Sequence, residues 1–216
     1  MKFTEVRLQL EQIFTRAIET GISVKQNFPA INEDALLTIG SLKSTTVALK
    51  NTPYKDIYNE LESNDQYHIK LPDGGLLLFQ YTFENQDTLL KHRLGYFPSP
   101  SLPSIEEAPE LYERDDLYGD ILLHRIVRFP IRFDFDPKNY KRAIHPHSHV
   151  TLGQFDNCRI PVSHPSSPNT FFMFIVRNFY FLLYKKNMNS LEKKITKCNI
   201  EQCITAHETP IPHLKI

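Results

Sequence analysis

Residues 132–136 read Arg-Phe-Asp-Phe-Asp, and residues 145–153 read His-Pro-His-Ser-His-Val-Thr-Leu-Gly. Both alternate polar and apolar side chains with the two-residue period of an extended strand. On the first, Arg132, Asp134 and Asp136 share one face, and Phe133 and Phe135 the other. On the second, His145, His147, His149 and Thr151 share one face, and Val150 and Leu152 the other. Paired as a hairpin, the two segments bring carboxylates and imidazoles onto one concave surface above a buried apolar face. The strands cluster in such pairs and do not alternate regularly with helices. That predicts an α+β fold with a mostly antiparallel sheet, its strands here near 127–136 and 149–155.

The same pattern extends outward along the chain. Asp73-Gly74-Gly75 marks a turn, LLLFQYTF (76–83) is rich in strand formers, and HRLGYF (92–97) is its partner across a loop at 84–89. Residues 35–49 read as short strands around Gly40. Phe3, Val6, Leu10, Ile13, Phe14, Ala17 and Ile18 recur at helical spacing and predict an N-terminal helix over 3–25. Thr52-Pro53 reads as an N-cap followed by proline at the first helical position. Ser104 with Glu107 resembles a capping box ahead of a helix through Leu111, Tyr118, Ile121 and Leu122. Ser167-Pro168 caps an apolar helix over 169–184, and a Lys-rich helix continues to 203. The organisation expected is one domain over residues 1–216, with the sheet region at 35–165 and the C-terminal helices at 168–203.

Composition narrows the class. The chain has 216 residues, with 25 basic and 25 acidic side chains, so bulk charge does not drive it onto nucleic acid or an acidic membrane. Its most apolar stretch, Phe171–Tyr184, is shorter than the roughly 20 residues of a membrane span and contains Arg177 and Asn178. Three cysteines do not build a secreted disulfide scaffold, and the first residues do not read as a signal peptide. A cytoplasmic protein with no membrane association is expected. Seven glycines against 15 prolines, with no phosphate-cradling loop, exclude a nucleotide fold of that kind.

Chemistry is expected where the two alternating segments meet. Imidazole exchanges a proton near neutral pH, so His145 and His149 are the candidate acid and base, with Asp134 as orienting carboxylate. Two aspartates with two or three histidines can also hold a divalent metal, for which Asp136 and His147 are the added ligands. From Arg125 to Arg142 there are six basic and two acidic residues, an excess that suits a phosphate-bearing partner. Arg132, Arg93 and Lys141 are the candidate substrate-binding groups. Gln80 and His92 are weaker candidates, since His92 and Arg93 must point to opposite faces of one strand. An ordinary solvated sheet face would show the same alternation.

The stretches KLPDGGLLLFQYTFE (70–84), KHRLGYFPSP (91–100), DLYGDIL (116–122), VRFPIRFDFDP (127–137) and HPHSHVTLGQFDNCRIPVSHPSSPNTFFMFIVRNFY (145–180) resemble the bacterial domain-of-unknown-function family numbered 2290. The resemblance spans nearly the whole chain. It supports one intact domain and supplies no reaction, though it suggests a bacterial defence or toxin component. Two functions are therefore expected. One is a His/Asp-dependent, RNase-like enzyme cleaving a phosphodiester of RNA or DNA. The other is a noncatalytic partner of a protein encoded nearby, binding through its aromatic surface and the 169–184 helix.

Overall fold

The computed structural model describes residues 1–32, 36–40, 52–101, 129–155 and 157–216. The fold is α+β. Among the described residues there are four α-helices, α1 (Phe3–Glu19), α2 (Tyr54–Ser63), α3 (Pro168–Phe179) and α4 (Phe181–Leu191). Nine strands accompany them, namely β1 (Lys25–Gln26), β2 (Ile31–Asn32), β3 (Leu37–Ile39), β4 (Ile69–Lys70), β5 (Leu76–Phe83), β6 (Leu89–Phe97), β7 (Ile131–Phe135), β8 (Ser148–Leu152) and β9 (Ile160–Pro161). They form one antiparallel sheet in the order β1-β4-β5-β6-β7-β8-β9, with β3 also pairing β5 and β2 pairing β3.

Register sorts the side chains, because cross-strand partners share a face. Phe79, Leu94, Phe133 and Val150 are successive partners across β5 to β8. All four are buried in the main core with Phe14 of α1 and Phe171, Phe172 and Val176 of α3. The Phe171 ring meets Phe79 edge-on at 5.5 Å and Phe133 at 5.9 Å. On the reverse face α2 lays Ile57, Tyr58 and Leu61 over Leu76, Leu78 and Phe97. The sheet is therefore a central layer, with α2 covering only part of its second face.

Several boundaries differ from the sequence reading, each for a local reason. The N-terminal helix stops at Glu19 and not at 25, because Gly21 takes a positive φ of 66° that a helix cannot continue through. Strands β1 and β2 thus lie ahead of residue 35. At α2 the N-cap is Pro53 itself and not Thr52. Ser167 does cap α3, its hydroxyl accepting from the Thr170 N–H at 3.1 Å. The apolar helix breaks at Tyr180 (φ −128°, ψ 49°), which leaves the helical path. Its hydroxyl donates to the buried Asp73 carboxylate at 2.8 Å and meets the Tyr96 hydroxyl at 2.8 Å. The Lys-rich segment is helical only to Leu191. Beyond it the chain is irregular, turns at 206–210, and Leu214 bridges Val162 beside β9. The expected helix through Leu111–Leu122 with its Ser104 cap, and most of the 35–49 segment, lie outside the described residues.

Candidate functional site: the Arg/Asp/His face of the sheet

The second alternating set forms the site. Gln80, Arg93, Asp134 and His149 are successive partners across β5, β6, β7 and β8. The adjacent row runs Leu78, Gly95, Arg132 and Thr151. This face is not the wet surface expected of an alternating pattern, since Asp134, His149 and Thr151 are all buried. On the reverse face Phe133 and Val150 are buried as expected, while Phe135 and Leu152 are only half-buried because they lie at the strand ends.

Asp134 is the hub. Its Oδ1 accepts a hydrogen bond from Arg93 Nε at 3.0 Å, and its Oδ2 lies 3.5 Å from Arg132 Nη2 and 3.9 Å from His149 Nε2. Burial opposes its ionisation, but the charges of Arg132 and Arg93 outweigh burial and hold the carboxyl below its usual value. Burial likewise lowers the Arg132 guanidinium, against the pull of Asp134.

The histidines arrive by way of a short hairpin. Lys141 and His145 form an isolated bridge whose turn places Ala143 at φ 61°. This folds His145 back so that its ring meets His149 edge-on at 4.8 Å. His149 Nδ1 lies 3.3 Å from the Pro146 carbonyl, so a proton on Nδ1 leaves the lone pair of the neutral ring on Nε2. Burial pushes His149 down to about 4, partly offset by Asp134. Burial and then Arg159 lower His145, with Asp136 and Asp134 opposing. Both shifts favour the uncharged rings.

Five sequence-chosen residues thus converge: Arg93, Arg132, Asp134, His145 and His149. Three are engaged otherwise. The Asp136 carboxylate accepts from Asn139 Nδ2 at 2.7 Å. His147 packs its ring on Tyr140 at 4.3 Å and sets Nδ1 3.2 Å from the Cys203 carbonyl. Lys141 is exposed at the base of the hairpin. Among the described residues no three His, Cys, Asp or Glu side chains gather as a metal-ligand set. Arg125 and Arg128 of the basic run lie outside the described residues. His92 and Arg93 do face opposite ways, and His92 Nε2 accepts the Ser166 N–H at 2.9 Å beneath the sheet.

Arg159 and Thr151 were not among the chosen site residues. Arg159 immediately precedes β9, and its charge acts on Arg132, His145 and His149. No alternation reveals it, because β9 has only two residues. Its sole sequence signal is the Cys-Arg-Ile-Pro run. Among the described residues three buried atoms at this face, Arg132 Nε, His145 Nδ1 and Thr151 Oγ1, have no hydrogen-bond partner. Buried polar atoms are nearly always paired, so three such atoms on one face set it apart from an ordinary core. Two guanidinium groups, Arg93 and Arg132, share the one buried Asp134 carboxylate.

Among the described residues no helix is long and apolar enough to cross a membrane. Searches of curated proteins and of solved structures returned no match. A family model described as "Uncharacterized conserved protein (DUF2290)" matches residues 22–216, nearly the whole of the folded chain, and the protein belongs to that family.

Proposed function

We propose that the Arg/Asp/His face binds a phosphodiester of RNA and cleaves it by imidazole acid–base chemistry. The observation that supports this most is the trio of Arg132 Nε, His145 Nδ1 and Thr151 Oγ1, unpartnered among the described residues, beside two arginines that share the one Asp134 carboxylate. A phosphate's oxygens accept from such donors, and arginine is the side chain best shaped to offer them. In the proposed reaction the ribose 2′-hydroxyl attacks phosphorus while one ring of the His145/His149 pair takes its proton. The bond from phosphorus to the 5′-oxygen breaks, and the other ring returns a proton to that oxygen. The products are a 2′,3′-cyclic phosphate and a free 5′-hydroxyl. The acid must first be protonated, which burial and Arg159 disfavour in the free protein. An arriving phosphate anion opposes both effects, so substrate itself charges the acid. Asp134 keeps Arg132 and Arg93 in place and stabilises a charged His149.

The test is incubation of a fluorescent ribo-oligonucleotide with wild type, His145→Gln and Arg132→Gln at pH 5 to 8, with chelator and with added divalent metal. Cleavage that survives chelation, and falls at least 100-fold in His145→Gln, supports the reading. Absence of cleavage under every condition overturns it. A role in bacterial defence or toxicity rests on the family resemblance alone, and a cytoplasmic setting on the cysteine usage.

One observation favours the noncatalytic reading. Within the 169–184 segment α3 turns Phe171, Phe172, Ile175 and Val176 into the core, while Phe181 and Leu182, with Met188 further along α4, are exposed. Loss of partner capture in a Phe181→Ser variant, with full RNA cleavage retained, would separate the two roles.

A further inference from the structure

At one end of the polar face the chain turns. Gly153, at φ 66°, ends β8, and its N–H donates to the Pro130 carbonyl at 2.7 Å. A side chain added at Gly153 would meet the Phe155 ring at 3.2 Å and Phe129 Cβ at 3.8 Å, so both aromatics border this turn. Phe155 is 74% exposed and Phe129 43%, large exposures for rings whose burial would each be favourable. The turn leans toward the side of the sheet that carries α2, because Gln154 Nε2 donates to the Thr52 carbonyl at 2.9 Å, just ahead of α2. That is the side bearing Arg132, Asp134 and His149. Thr151, with its unpartnered hydroxyl, stands two residues before Gly153, about 7 Å along the strand.

An exposed ring four residues along the chain from Thr151, whose cross-strand partner is Arg132, matches an arrangement by which proteins hold single strands. Basic groups track the phosphates and aromatic faces stack the bases. Duplex RNA offers no unstacked base to such a ring. We propose that Phe155, backed by Phe129, is a stacking platform for a base of single-stranded RNA whose adjoining phosphate lies at the Arg132/Thr151 pair. The inference rests on the phosphodiester reading above and narrows its substrate to unpaired strands.

The chain contains no tryptophan, so Phe155→Trp introduces a unique fluorophore at the platform. The probes are a 2′-O-methyl oligonucleotide of ten nucleotides, which cannot be cleaved, and an abasic oligonucleotide carrying the same phosphates. Saturable quenching by the base-bearing strand is expected, with much weaker quenching by the abasic one. In anisotropy, Phe155→Ala should weaken the base-bearing strand about tenfold to hundredfold and leave the abasic strand unchanged, the effect of one lost stacked base. Phe155→Leu, which keeps bulk but loses the flat ring, should behave like Phe155→Ala. If both strands bind and Phe155→Ala binds them as wild type does, the platform is wrong and the phosphodiester reading stands. If neither strand binds wild type, both ideas are overturned together.

Discussion

Asp134 and His149 are cross-strand partners, with Oδ2 of the one 3.9 Å from Nε2 of the other, while Asp134 also holds Arg93 and Arg132. One buried carboxylate thus orders two cations and an imidazole. Its removal should be costly in a way that removal of a peripheral cation is not. Asp134→Ala leaves Arg132 buried without a counter-charge and should lower stability by about 3–5 kcal/mol in chemical denaturation. Arg93 is half exposed, so Arg93→Ala should cost only about 0–1 kcal/mol. Similar losses in both variants would contradict the placement of Asp134 as hub.

Acid should destabilise the fold through its buried rings. His92 and His149 lie at about 4 in the folded state against an ordinary value of 6.5, chiefly through burial. Between those limits the unfolded chain binds more protons than the folded one. Their contribution is therefore complete above about pH 6.5 and is lost as pH falls toward 4. At 1.36 kcal/mol per unit, each ring accounts for roughly 3 kcal/mol. The groups acting on His149 are Asp134, His145 and Arg159. Urea denaturation from pH 7 to 4.5 should show a shallower slope in His149→Gln than in wild type.

Tyr180 should be a structural keystone distant from the chemistry. Its hydroxyl joins the buried Asp73 carboxylate to Tyr96, and its backbone separates α3 from α4. Tyr180→Phe should cost about 1–3 kcal/mol for each buried group left unpaired, while RNA cleavage per folded molecule stays unchanged. Thermal melts beside an activity assay check both halves.

Phe133 supplies a contrast on the same strand as the site. It is buried against Phe171 and Phe174. Phe133→Ala should lower stability by about 3–5 kcal/mol, a large share of an ordinary domain's total, with ligand affinity changed only through the folded fraction.

Much of this was legible in the chain. Period-two alternation in RFDFD and in HVTL placed the correct residues on the correct faces, and the β5 limits follow directly from LLLFQYTF between its turn and its loop. Ser167-Pro168 announced the start of α3. What alternation cannot report is burial, because a polar face reads the same whether water or other residues cover it. The alternation of His149 fits a solvated face equally well, yet the residue is buried, so His149→Ala should cost stability as well as activity. Tyr180 was also hidden, since nothing local says that a tyrosine within an apolar run will leave the helix to reach Asp73, 107 positions away. Arg159 was hidden for a third reason. Two-residue strands carry no period, and only the sheet brings it beside the histidines.

The most direct measurement uses a deoxy-oligonucleotide containing a single ribonucleotide, incubated with the wild-type protein in the presence of chelator. The account predicts one cut, immediately 3′ of the ribose, with a 2′,3′-cyclic phosphate on one product and a 5′-hydroxyl on the other, and loss of that cut in His145→Gln. Cutting at deoxy positions, or a product bearing a 3′-hydroxyl, would contradict it.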